Sequence, residues 1–150
     1  MGKRIVKYRL ELVKESSKIY EVESKISSPT DVKNYIEQVF KLSSQAEEVM
    51  VMLVLDIKNN VIGAFEVSRG SLNASIVHPR EVFKRALLLN GASIILAHNH
   101  PSGDPTPSME DISTTERLVE GGKVLGIEVL DHLIIGNNDS YKSFKECSLI

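Results

Sequence analysis

Residues 49–55 are an unbroken apolar stretch, and 92–97 are strongly apolar apart from Ser93, the pattern of strands covered on both faces. Residues 61–68 and 127–135 each follow turn residues and read as further strands, with a short one at 141–144. Residues 4–13 alternate apolar and polar positions imperfectly. Residues 18–26 resemble them across a polar link, so the two read as an edge-type strand pair. Helical spacing appears three times. Val32, Tyr35, Ile36, Val39 and Phe40 recur behind Ser28-Pro29-Thr30-Asp31, which supplies a cap, a first-position proline and a first-turn acid. Pro79 opens a second helix whose expected buried face is Val82, Phe83, Ala86 and Leu87, ended by Asn90-Gly91. A third runs from Ser108 to near Gly126. Before it, residues 101–107 carry three prolines and Gly103, so they form a stiff, irregular loop in which Gly103 serves the turn.

The resulting order is β-β-α-β-β-α-β-α-β with a possible last strand. Hairpin links mix with helical links. This predicts an α/β (α+β) fold, a mixed β-sheet flanked by helices. Residues 1–150 read as one domain, with 1–26 as an N-terminal strand-pair extension. Neither repeats nor low-complexity segments occur.

Charge changes this picture little. Lys and Arg total 18 and Asp and Glu total 20, so the net charge is −2, which does not favour a polyanion such as DNA as a partner. Lys3, Arg4, Lys7, Arg9 and Lys14 crowd the N-terminus, as a solvated strand face or a weak anion-binding patch. Cys147 is the single cysteine. It has no partner for a disulfide, a redox pair or a zinc ribbon and reads as a structural or surface thiol. A reducing compartment fits, no run approaches a membrane span, and the N-terminus lacks a signal-type apolar stretch. The expected location is the cytoplasm, away from membranes.

The chemistry gathers where an apolar strand runs into His98-Asn99-His100. Residues i and i+2 of a strand project from one face, so both imidazoles can reach one metal ion. Asp111 follows eleven residues later, in the first turn of the third helix, and the short proline loop can swing it back. Two imidazoles and one carboxylate leave a fourth tetrahedral position for water, as in catalytic zinc sites. Zinc suits these ligands, and other divalent metals share them. Plainer readings exist for each piece. Ser108-Met109-Glu110-Asp111 also matches a capping box, and His-x-His alone is a weak signal. The letters HNH do not indicate the nuclease of that name, whose motif is longer.

The stretch HNHPSGDPTPSMED reads His-x-His, seven residues, Ser, two residues, Asp. That spacing resembles the JAMM signature of the JAB/MPN metalloprotease family. With VSRGSLNASIVHPREVFKRALLLNGASIILA before it, and GIEVLDHLIIG and YKSF after it, the chain from about Ser27 onward is similar to the RadC-like branch of that family. The resemblance implies a three-layer, cytidine-deaminase-like architecture, with His98, His100 and Asp111 as ligands of Zn2+. It also implies an upstream strand Glu as general base. Glu66 occupies the matching position and is the one carboxylate within 61–68. Glu81 sits in a helical first turn, where the dipole favours it, and Glu47 and Glu48 read as surface charges ahead of a strand. Ser108 is the expected helper at the developing oxyanion. The implied reaction is hydrolysis of a peptide or isopeptide bond in a protein or peptide substrate.

Other functions compete. RadC-like proteins carry a DNA-repair label, so an accessory protein of DNA repair or recombination with little or no catalysis is one alternative. Longer members bear an N-terminal helix-hairpin-helix segment, and this chain begins with the two expected strands instead. A zinc-stabilised, non-catalytic domain is another, opposed by the open fourth position. A zinc deaminase needs a Cys-x-x-Cys pair and His-x-Glu, both absent. Asp131 and His132 either orient a ligand or form a structural pair. His78 is read as a helix-entry residue, Asn73 and Ser75 as turn formers beside the site. Substrate and oligomeric state stay open.

Overall fold

The computed structural model describes residues 2–70 and 77–150. Five strands form one sheet: β1 (Val49–Leu55), β2 (Val61–Arg69), β3 (Ser93–Asn99), β4 (Glu128–Ile135) and β5 (Tyr141–Ser143). Their spatial order is β2-β1-β3-β4-β5. β1 is antiparallel to both β2 and β3, β3 is parallel to β4, and β4 is antiparallel to β5. Three α-helices cover the sheet: α1 (Pro29–Phe40), α2 (Pro79–Leu88) and α3 (Met109–Leu125).

Every residue of β1 and β3 is buried, as the apolar runs at their cores predict for central strands. One face packs Val51, Leu53, Leu55, Ile95 and Ala97 against Val32 and Ile36 of α1. The other packs Met52, Val54, Ile94 and Leu96 against Val82, Phe83 and Ala86 of α2 and Leu118 of α3. The result is a three-layer α+β architecture. Each buried Val, Leu or Ile contributes roughly 1.5–3 kcal/mol by leaving water. Leu87, expected on the buried face of α2, is half exposed. It lies one step past Ala86, at the margin of the apolar stripe.

Residues 2–25 do not form the expected strand pair. Ile5, Tyr8, Leu10, Val13 and Ile19 are exposed, and the bridge from Lys25 to Asn60 is the only strand-type pairing among these described residues. A two-stranded ribbon needs an apolar surface to lie on, and residues 2–19 are exposed throughout. The packed chain starts at Ile26, tied in by Ile26 N–H to Asn59 O at 2.9 Å and Val61 N–H to Ser24 O at 2.7 Å. Ser28 then caps α1 in a full capping box with Asp31. Among the described residues no helix is long and apolar enough to cross a membrane.

Candidate metal centre

β3 ends in the histidines. His98 is fully buried, and His100 emerges just past the strand at the edge of the molecule. Their Nε2 atoms stand 3.0 Å apart. The short loop then returns the chain to α3. Gly103 makes this possible: its φ is +85° and any Cβ would strike the Asn137 side chain. Its carbonyl accepts from Asn137 N–H at 3.0 Å, pinning the loop to the β4–β5 turn. Asp104 O is thereby held 2.7 Å from His100 Nδ1.

Ser108 is the N-cap of α3. Its hydroxyl accepts from Asp111 N–H at 3.1 Å, and its own N–H donates to Asp111 Oδ2 at 2.7 Å. The capping box that the sequence offers is therefore formed in full. The box fixes the Asp111 carboxylate so that Oδ1 lies 3.2 Å from His98 Nε2 and Oδ2 3.3 Å from His100 Nε2. Burial by itself would raise the Asp111 pKa. When His98 is protonated its hydrogen bond and charge, with the Ser108 N–H and hydroxyl, outweigh it and hold the carboxyl well below its usual range.

This donor set fits a cation. A carbonyl cannot donate, so the His100 Nδ1 proton is committed to Asp104 O and a neutral His100 turns a lone pair toward His98 and Asp111. His100 Nε2 and Asp111 Oδ2 then meet as acceptors 3.3 Å apart, an arrangement that a positive charge between them relieves. A tetrahedron with zinc–ligand bonds of ~2.0–2.1 Å has edges of ~3.3 Å, close to the 3.0–3.3 Å separations of the three donors.

Glu66 does not join them. It stands opposite Val51, whose side chain lies in the α1-side core, whereas His98 stands opposite Met50 in the core on the other face. Opposed residues share a face, so Glu66 lies on the wrong side of the sheet for the imidazoles. Its carboxylate is instead held by Arg69 through two bonds of 2.9 Å. The carboxylate beside the histidines is Glu48. Glu48, His98 and His100 offer ligand atoms within 4.8 Å of one another, with Glu48 Oε1 4.0 Å from His100 Nε2. Asn99 brings it there. Buried between the two histidines and pointing away from them, it accepts from Val49 N–H at 2.8 Å and donates to Glu47 O at 2.9 Å and Gln45 O at 3.2 Å. In the sequence Glu48 shows only as a charge just ahead of a strand. β1 runs antiparallel to β3, so the residue before β1 must lie beside the end of β3.

Behind His98, His132 Nε2 lies 2.8 Å from His98 Nδ1, and His132 Nδ1 lies 2.7 Å from Thr115 Oγ1. Asp131 faces elsewhere. It accepts from Ser143 Oγ at 2.6 Å and Lys145 N–H at 3.1 Å, tying β4 to the C-terminal segment. His78 is the N-cap of α2 without a side-chain cap bond, and Cys147 is exposed. Asn73 and Ser75 fall outside the described residues.

Burial pushes the His132 pKa well below the usual imidazole value; His98 and His100 push the same way, and Asp111 opposes. The unfolded chain, with this imidazole near pH ~6.5, therefore binds a proton that the folded chain refuses. The stability from neutral His132 is complete above that value and is lost as pH falls below it, by at most ~1.4 kcal/mol per pH unit. Urea unfolding of chelator-treated protein should show wild type losing stability relative to His132→Gln below about pH 6.5. Parallel curves would refute it.

The family model described as "RadC-like JAB domain" matches residues 26–149. The chain is 56% identical over 128 residues to a UPF0758 protein of Methanosarcina mazei, covering 85% of this chain and 55% of that one. It is 64% identical over 100 residues to a UPF0758 protein of Methanococcoides burtonii, covering 67% and 43%. A Clostridium beijerinckii UPF0758 protein is 50% identical over 126 residues, covering 84% and 54%. The chain thus spans about half the length of the curated relatives it matches.

Proposed function

The chain belongs to the RadC-like JAB domain family, and from that premise we propose that it is a zinc-dependent hydrolase of peptide or isopeptide bonds. The observation that carries this reading is the convergence of His98, His100 and Asp111 on one point, with Glu48 beside them at the open edge of the sheet. In this reading His98 Nε2, His100 Nε2 and Asp111 hold the ion. Zinc held there supplies Lewis-acid chemistry, acidifying water and polarising a carbonyl.

Glu48 is the base. At 4.0 Å from His100 Nε2 it stands farther out than Asp111, where it would address a water held by the ion. Its carboxylate takes the proton of the attacking water and returns it to the leaving nitrogen. The Ser108 hydroxyl accepts from Asp111 N–H and keeps its own proton, which it donates to the substrate oxygen as negative charge develops there. Ser108 is exposed while His98 behind it is buried, so substrate approaches from the α3 side of the opening.

The test is a screen of peptides and isopeptide-linked peptides with zinc-loaded protein, with and without chelator. The expected result is one tightly held zinc per chain and hydrolysis that a chelator stops and zinc restores. Protein that takes up no stoichiometric zinc would overturn the proposal.

A further inference from the structure

His132 is more than a packed core residue, because its two nitrogens lie in a chain of hydrogen bonds that starts at a backbone carbonyl and ends at His98. Thr115 Oγ1 lies 2.7 Å from Asp111 O. A carbonyl only accepts, so the threonine proton is committed there. At its other contact, 2.7 Å from His132 Nδ1, Thr115 can then only accept, and the proton between them sits on His132 Nδ1. His132 is fully buried, and a neutral imidazole carries that one proton only. Its Nε2 is a lone pair. That lone pair lies 2.8 Å from His98 Nδ1, which must therefore be the donor. The proton of His98 is thus placed on Nδ1, and its Nε2 lone pair faces His100 and Asp111.

We propose that His132 and Thr115 are a positioning pair that fixes the tautomer of His98, so that Nε2 is presented as a metal ligand. The geometry around them supports a directional device. Phe144 stacks on His132 at 4.8 Å with 20° between the planes, which holds the ring in orientation. Asp111 and Thr115 are four apart on α3, so the residue that faces the cation and the one that starts the relay are set by the same helical turn. Metal capture by the pair rests on the proposed metal centre; the placement of the His98 proton does not.

The experiment has two arms. In the first, 15N-histidine-labelled, chelator-treated protein is examined at about pH 8, above the imidazole range, by long-range proton–nitrogen correlation. Wild-type His98 should carry its proton on Nδ1. Thr115→Val, which removes the acceptor of the His132 proton at nearly constant shape, should shift His98 toward Nε2–H. His132→Phe should do the same. In the second arm, affinity for Zn2+ is measured by competition with a chromophoric chelator. Both variants should bind ~10–100-fold more weakly, the usual cost of losing a partner that orients a ligand. His132→Gln, whose side-chain oxygen can accept from His98 Nδ1, should recover most of the affinity. A wild-type His98 protonated on Nε2, or a Thr115→Val protein with unchanged tautomer and unchanged zinc affinity, would overturn the proposal. Wild-type protein that binds no zinc would instead sink the proposed metal centre, while the first arm still decides the role of His132.

Discussion

Replacing Glu48 with Gln is expected to lower the hydrolytic rate by ~10²–10⁴, the range a positioned general base contributes, while zinc stays bound. The amide keeps the size of the carboxylate but cannot accept the proton of water. It also leaves the Asn99 clamp intact, because that clamp bonds the backbone at Gln45, Glu47 and Val49 and not the Glu48 side chain. Glu66→Gln is the paired control. It weakens an exposed ion pair with Arg69, whose net contribution is ~0–1 kcal/mol, so rate and metal content should stay near wild type. Steady-state kinetics with metal analysis of both proteins separates the two carboxylates. If Glu66→Gln abolished turnover and Glu48→Gln did not, the base would lie at Glu66 despite its place on the far face of the sheet.

The choice between these glutamates marks where the sequence stopped being legible. His98, His100, Ser108 and Asp111 lie within fourteen residues, and local rules govern all of them: strand alternation for the first two, a helix cap for the others. Local rules could place them, and the structure brings all three donors together. Glu48 comes from a distant part of the chain, and its choice depends on which strand lies beside β3. The apolar runs identified β1 and β3 as central strands but did not say that they are antiparallel neighbours with Met50 opposite His98. Without that register, a carboxylate inside a strand looked better placed than one just before a strand. Thr115 was hidden for a related reason. Its i+4 spacing from Asp111 is visible, but its contact with His132 needs the packing of α3 on β4. The N-terminal misreading has a different origin. Alternation at residues 4–13 is a statement about faces, and a face forms a strand only when something covers it.

Asp111→Asn is expected to abolish tight zinc binding while leaving α3 in place. The two roles of this residue separate cleanly in that substitution. As a cap partner it accepts Ser108 N–H through Oδ2, and an amide oxygen can do the same. As a ligand it supplies the one negative charge among the three donors, which an amide cannot. Zinc affinity should therefore fall beyond the ~10–100-fold typical of losing an orienting partner, with helix content unchanged by circular dichroism. Metal-free protein gives an independent check through pH. Because the folded pKa of Asp111 is depressed, its contribution to stability is present above the ordinary carboxyl value of ~3.9 and is lost as pH falls below it. Denaturant unfolding from about pH 6 down to about pH 3 should show the wild type converging on Asp111→Asn as the acid range is entered. An Asn variant that still held zinc like wild type would remove Asp111 from the ligand set, leaving Glu48 as the carboxylate next to the histidines.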